Sequence, residues 1–379
     1  MLEYEVLRII WWLLLGVLLV GFAIMDGFDL GIGMLLHRVA KTDAERRVVL
    51  NTIGPTWEGN QVWLILGGGS IFAAWPALYA LSFSGFYFGL LLILFGLILR
   101  PVGFKYRSKI QCSHWRSAWD FALFVGGFVP ALVFGVAVGN TLQGAPFYFD
   151  ETFRSFYEGS FWDLLNPFAL ICGLLSICMM AMHGAVYLAN KTESMIQTRA
   201  KRHVYIMAAL TMVLFTIAGW WITHSIEGYV LTSTPTPNAE SSPFGATVIT
   251  QIGAWTQNYH HMPVLLTVPA IGFLGALLAV ILVHQGCYRF AWLCSALSIA
   301  GIVTTVGVSM FPFILPSTIN PSMSLMVWNA SSSQLTLFIM LIATIIFIPI
   351  ILAYTSWVYY VLRGKVTEAD IRRHSHDVY

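Results

Sequence analysis

Three carboxylates stand where the sequence otherwise reads as helix embedded in hydrocarbon. Asp26 and Asp29 fall in I-M-D-G-F-D-L-G-I-G (residues 24–33), and Glu58 in W-E-G-N-Q-V-W (residues 57–63). Carboxylates at membrane depth are costly and normally face a bundle interior or a water path, where they find partners. A spacing of three puts Asp26 and Asp29 on one helix face. Asn60 and Gln61 follow Glu58, and Arg100 closes a later apolar run at similar depth. A guanidinium suits such a site because its forked donors match both carboxylate oxygens. Acids held in partly dry surroundings at this depth suit a proton relay. The alternative is a set of helix-end charges that snorkel to the interface and fix helix positions.

The elements that must hold these groups are membrane spans. The 379 residues are 58% hydrophobic and 10% charged, more apolar surface than a soluble fold of this length can hide. Nine stretches are long enough to cross about 30 Å of hydrocarbon at about 1.5 Å per residue. They lie near 9–36, 57–76, 78–100, 118–139, 164–189, 203–225, 262–284, 289–312 and 335–362. The second is interrupted by Gly67, Gly68 and Gly69. From a start near Ile9, Asp26 lies about 25 Å along the first span, in the inner third of the bilayer.

The basic residues alternate by side. Arg38, Lys41, Arg46 and Arg47 are in the first connection, and Arg100, Lys105, Arg107, Lys109 and Arg116 in or beside the third. Lys191, Arg199, Lys201 and Arg202 are in the fifth, Arg289 in the seventh, and Arg363, Lys365, Arg372 and Arg373 in the tail. Only Arg8 and Arg154 fall on the other side. The positive-inside rule then places the N-terminus outside and the C-terminus in the cytoplasm. The sequence thus predicts an all-α polytopic membrane protein of one integral domain (1–379). Its nine helices divide into a four-helix bundle (about 1–140), a second (about 164–312) and a peripheral final helix (about 335–362). The proline-punctuated stretch 311–325 is expected to fold against the outer surface.

Other chemistry is poorly supported. Five cysteines show no C-x-x-C spacing and read as free thiols, neither a disulfide framework nor a zinc site. The acidic N-terminus is not followed by a signal-cleavage site, so the first span is expected to stay in the mature protein. Seven of the ten histidines lie in connections or the tail, and His183, His224 and His284 near span ends. No facing pair suits haem ligation, and adjacent His260 and His261 point apart, so no haem or metal ligand is assigned. Trp57 and Trp63 flank Glu58 and, with Asn60 and Gln61, are candidates for a quinone or lipid pocket, although most tryptophans serve as interfacial anchors. Nothing points to nucleic acid.

Long ordered strings carry a family resemblance: E-Y-E-V-L-R, D-G-F-D-L-G-I-G, W-E-G-N-Q-V-W-L, F-A-A-W-P, F-S-G-F-Y, R-P-V-G-F-K-Y-R-S-K, S-S-S-Q-L-T-L and T-E-A-D-I-R-R-H-S-H-D-V-Y. They resemble subunit II of cytochrome bd ubiquinol oxidase from end to end. The resemblance implies a bacterial inner-membrane terminal oxidase that oxidises quinol and reduces oxygen to water. It implies two b-type haems and one haem d in a partner, subunit I, and none ligated by this chain. A small single-helix accessory subunit, phospholipid and a structural quinone are further implied companions. The family's cytoplasmic proton supply carries over to Asp26, Glu58 and their partner Arg100, with Asp29 the weaker candidate. Glu58 stands where the family also has Asp, which shifts the carboxylate by one methylene. Two rivals stay open: a secondary transporter, which membrane carboxylates and broken helices also suit, and a purely structural subunit.

Overall fold

The computed structural model describes residues 2–234 and 236–373. His374, His376 and the end of the last family string lie outside them. Helices α1 (Tyr4–Val39), α5 (Tyr87–Tyr106), α6 (Ser113–Gln143), α7 (Pro167–Lys191), α8 (Ser194–His224), α10 (Thr267–His284), α11 (Tyr288–Met310) and α12 (Gln334–Val361) form the body. With α10 counted from the 3-10 turn at Pro263, these eight are long and apolar enough to cross a membrane.

The second and third predicted spans need correction. Helix α3 (Trp57–Ala74) runs unbroken through Gly67, Gly68 and Gly69. Its 18 residues reach about 27 Å, but its polar opening and glycines leave it outside the strongly apolar set. The predicted span 78–100 is divided. A short α4 (Pro76–Gly85) ends where a Cβ on Gly85 would meet the Tyr157 ring at 2.5 Å, and α5 then starts at Tyr87. Arg100 therefore lies inside α5 and does not close a span.

Helix α1 is the hub, packing against α3, α6, α7 and α11. Its motif glycines make this possible. A Cβ on Gly31 would lie 2.1 Å from the Met180 carbonyl oxygen of α7, and one on Gly127 of α6 would lie 2.5 Å from the Leu30 oxygen. Small residues let membrane helices approach to backbone contact. Helix α7 is the most enclosed apolar helix, whereas α12 lies along α1 and α3 with only Leu337 buried.

The two ends differ. At one, the basic connections meet in an ion-pair network around a short α2 (Asp43–Ile53). Buried Arg107 grips buried Asp120 through Nε (2.5 Å) and Nη2 (3.1 Å) and also reaches Asp43 (2.9 Å). Arg46 joins Asp120 at 2.8 Å, and Arg116 joins Asp43 at 2.7 Å. At the other end the chain is not all helix, because three two-stranded hairpins replace the loops expected there. They are β1 (Phe147–Phe149) with β2 (Ser155–Tyr157), β3 (Glu227–Leu231) with β4 (Val248–Ile252), and β5 (Phe313–Leu315) with β6 (Leu325–Met326). The proline-rich stretch does fold back here: Ala145 N–H donates to the Pro316 carbonyl. Arg8 closes this end. Fully buried, it donates to the Pro237 carbonyl (2.5 Å), Ser241 (2.8 Å) and Ser331 (2.8 Å).

Candidate functional site

Asp26 and Asp29 leave α1 on one face, one turn from the glycines that bring α1 against α6 and α7, and both are closed off, 0% and 2% exposed. Arg100 from α5 meets them there. Its Nη1 lies 2.8 Å from Asp26 Oδ1 and donates to Oδ2 at 3.0 Å, and its Nη2 is 3.9 Å from Asp29 Oδ2. Asn60 from α3 donates to Asp29 Oδ2 at 2.7 Å, and its own amide oxygen accepts from the Tyr359 hydroxyl of α12 at 2.7 Å. Trp57 walls the cluster: its ring stacks on Phe104 with centroids 5.4 Å apart and lies 5.7 Å from the Arg100 guanidinium carbon. Four helices thus converge on two carboxylates that share one arginine. Fully ionised, the cluster carries one excess negative charge in a closed space. A single proton on the pair cancels it.

The predicted residues divide into two groups. Asp26, Asp29, Asn60 and Arg100 are brought together. Glu58, two residues before Asn60, lies exposed on the other face of α3, away from the pair. The proposed pocket of Trp57, Asn60, Gln61 and Trp63 is not assembled. Trp57 and Asn60 turn inward to the cluster, Gln61 is half-exposed, and Trp63 lies over Gly21 of α1. Helical geometry explains this, because positions 57 and 60 share a face from which 58 and 61 are rotated by about 100°.

Sequence reasoning missed three features. Asp120 was legible as a carboxylate at the start of an apolar run, but its partner Arg107 comes from another helix end. Tyr359 stands among several aromatic residues near the end of the last span, with nothing in the sequence to single it out. His183 was placed near a span end yet is fully buried. Its Nδ1 shares a hydrogen bond with Ser295 Oγ at 2.7 Å, and that hydroxyl also reaches the Trp292 carbonyl at 2.9 Å. A haem does not fit there. The ring stacks on Trp292, and a Cβ on neighbouring Gly184 would already lie 2.8 Å from the Gly31 backbone.

The comparisons with known proteins agree with this architecture. The family described as cytochrome bd terminal oxidase subunit II matches residues 7–362. The chain belongs to that family. It is 47% identical to cytochrome bd-I ubiquinol oxidase subunit 2 of Escherichia coli K12 over 379 residues, the whole of both chains. It is 49% identical to a probable cytochrome oxidase subunit 2 of Haemophilus influenzae, again over both full lengths. A bd oxidase subunit II from Bacillus subtilis is 29% identical over 95% of this chain and 97% of its own. The bd oxidase structure from Geobacillus thermodenitrificans superposes with a TM-score of 0.70 at 15% identity, covering 94% of this chain and 98% of that one, which shows the shared fold. A bd subunit II with eight long apolar helices among its described residues is a multi-pass protein of the bacterial inner membrane, and its family implies a subunit I partner.

Proposed function

We propose that this chain is the haem-free subunit II of a quinol:oxygen oxidoreductase and that its Asp26–Arg100–Asp29 cluster relays protons from the cytoplasm toward the oxygen-reducing site of subunit I. The observation that carries this is the charge count: two buried carboxylates against one guanidinium leave room for one exchangeable proton. Arg100 holds Asp26 in a close pair, so Asp29, at 3.9 Å, is the more loosely held acid. Glu58, exposed on α3, is assigned to the surface that meets subunit I. The basic ion-pair end is assigned to the cytoplasm, with nine spans if α3 also crosses. The two four-helix units and peripheral α12 belong to the same reading, as do an accessory helix and bound quinone or phospholipid. Oxygen reduction consumes the delivered protons while quinol oxidation releases its own outside. Turnover then builds a potential, each charge moved across 100 mV corresponding to about 2.3 kcal/mol.

The test is Asp26→Asn in the assembled complex. The expected result is slower oxygen reduction with haem content and subunit stoichiometry unchanged; parental turnover would overturn the relay. Loss of haem d with the variant would favour the second reading, in which the cluster only fastens helices. The Arg107–Asp120 network supports that second reading, since this fold does use buried ion pairs at helix ends. The transporter reading loses its basis in α3, whose glycine run is continuous helix.

A further inference from the structure

Lys191 ends α7 at the basic end, and its side chain is a buried cation, 7% exposed. Buried charges are normally paired with an opposite charge. Among the described residues no carboxylate lies within ion-pair distance of this one. Its ammonium donates instead to the Leu362 carbonyl and, at 3.3 Å, to that of Gly364, so one of its three N–H groups is to spare. Lys191 lines a cavity of about 230 Å³ between α2, α7, the start of α3 and the chain that leaves α12. Lys365 lines it too, and no acid does among the described residues. Helix α3 opens at the same place. Its N-cap Thr56 is in the lining, gives its hydroxyl to the Ile53 carbonyl and makes no side-chain cap, which leaves the positive end of the helix uncapped. Glu58 of that first turn lies exposed and is not in the lining. Leu362, Val366 and Ile371 give the cavity an apolar rim, tied to Lys191 by the Val366 N–H on its carbonyl at 2.9 Å.

We propose that this cavity binds a phosphate group, held by Lys191, Lys365 and the N-terminal turn of α3. Two ammonium groups and a helix N-terminus, with no acid among them, make a net positive site. Each suits phosphate: lysine as a point charge, the helix end through its N–H groups. The volume admits a phosphate with several waters, and the apolar rim suits the ester side of a phosphate-bearing molecule better than a bare ion. The rim also lies where α12 ends in exposed Trp357, Tyr360 and Val361, the kind of residues that mark a membrane boundary. A soluble phosphate ester and a phospholipid headgroup can both reach that level, and both present the chemistry this site would read. The bound anion supplies the counter-charge that Lys191 lacks and fastens the tail after α12 onto α2 and α7. No proton is transferred, and the proposal does not rest on the relay reading.

The experiment uses the whole purified oxidase. In one arm the lipid-depleted enzyme is titrated with radiolabelled inorganic phosphate by equilibrium dialysis at constant ionic strength. In the other it is reconstituted in phosphatidylcholine nanodiscs containing phosphatidylglycerol, re-extracted, and its retained lipid counted by native mass spectrometry. The parent is expected to bind phosphate saturably, or to retain one more phosphatidylglycerol than Val366→Trp, whose indole fills the cavity while the backbone bond to Lys191 stays. Lys365→Gln should weaken whichever ligand binds by about threefold, the scale of an exposed ion pair, and Lys191→Met should abolish binding. Saturable inorganic phosphate identifies a site for soluble phosphate esters. Retained phosphatidylglycerol that inorganic phosphate does not displace identifies a headgroup site. If neither ligand binds, or if binding is the same in Val366→Trp and Lys365→Gln as in the parent, the proposal falls. If Lys191→Met does not assemble, those two variants decide. Asp26→Asn should bind as the parent does, so this site and the relay stand or fall separately.

Discussion

At the residue scale the dominant fact is the sharing of Arg100 by two acids. Removing one partner of a buried ion pair leaves an uncompensated charge, at a cost of about 3–5 kcal/mol. Arg100→Leu, which leaves two buried carboxylates without a cation, is therefore expected to lose that order of stability, read as a lower melting temperature of the complex, and to lose more than Asp26→Asn, which leaves Arg100 and Asp29 as a neutral pair. Glu58→Gln should differ sharply. The side chain is exposed on this chain, so the isolated subunit should change by less than about 0.5 kcal/mol, the usual range for surface substitutions. Any loss of turnover in the complex would then report on the surface shared with subunit I. The pairing of Asp26 with Arg100 was legible from residue type and depth. That Glu58 faces away from them was not, because one helical step rotates a side chain by about 100° and an apolar helix with a weak pattern does not say which face is inside.

At the element scale, backbone-to-backbone crossings and end caps set the architecture. The 2.1 Å approach at Gly31 leaves no space for a Cβ against the α7 backbone, and such overpacking costs about 1–3 kcal/mol or more. Gly31→Val is expected to block assembly of the body, seen as loss of the monodisperse complex on size-exclusion chromatography, whereas Gly16→Ala, with open space around it, is expected to be tolerated. Outside the membrane, Glu45 closes the capping box of α2 and accepts from Arg199 Nη1 at 2.8 Å. Burial alone would raise its carboxyl. The Lys41 N–H, the Arg199 guanidinium and the Thr42 N–H outweigh that and hold it below the usual carboxylate range. A carboxyl held low in the fold stabilises at pH above its unfolded value, near 4.3, and that stability disappears as pH falls through the folded value. Glu45→Gln should therefore lower the melting temperature at pH 7 and flatten the acid limb, with parent and variant converging below about pH 4. The Thr42–Glu45 capping box is a sequence pattern in plain view. Its link to Arg199, 154 residues away, is a tertiary fact.

At the scale of the whole molecule, sidedness decides the mechanism, because protons must be taken from the side opposite to their release. The connections carrying nearly all the lysines and arginines gather at one end, joined through Asp43, Asp120 and Glu45, while Arg8 and the hairpins close the other. Cys112 and Cys287 are exposed and lie in connections assigned to the cytoplasm. The Cys112 thiol sits where the Trp115 and His114 N–H groups hold it below its ordinary range, which favours the reactive thiolate. A membrane-impermeant maleimide should label these cysteines in inverted vesicles and not in intact spheroplasts, and a Thr152→Cys variant should show the reverse. Labelling of Cys112 from outside would invert the orientation and remove the relay from the cytoplasm.

The sequence by itself determined that the chain is a helical membrane protein, which family it resembles, on which connections its positive charge lies and which acids sit too deep to be ordinary. Those properties follow from composition, run length and ordered motifs, which are local. Only the tertiary structure decided that Arg100 lies within its helix, that Asn60 and Tyr359 complete the acid pair, that Glu58 stands apart and that the predicted second and third spans are shaped as α3, α4 and α5. These depend on helix rotation and crossing, which are set by backbone contacts between residues far apart in the chain, and a sequence of nearly uniform hydrophobicity carries little pattern from which to read them.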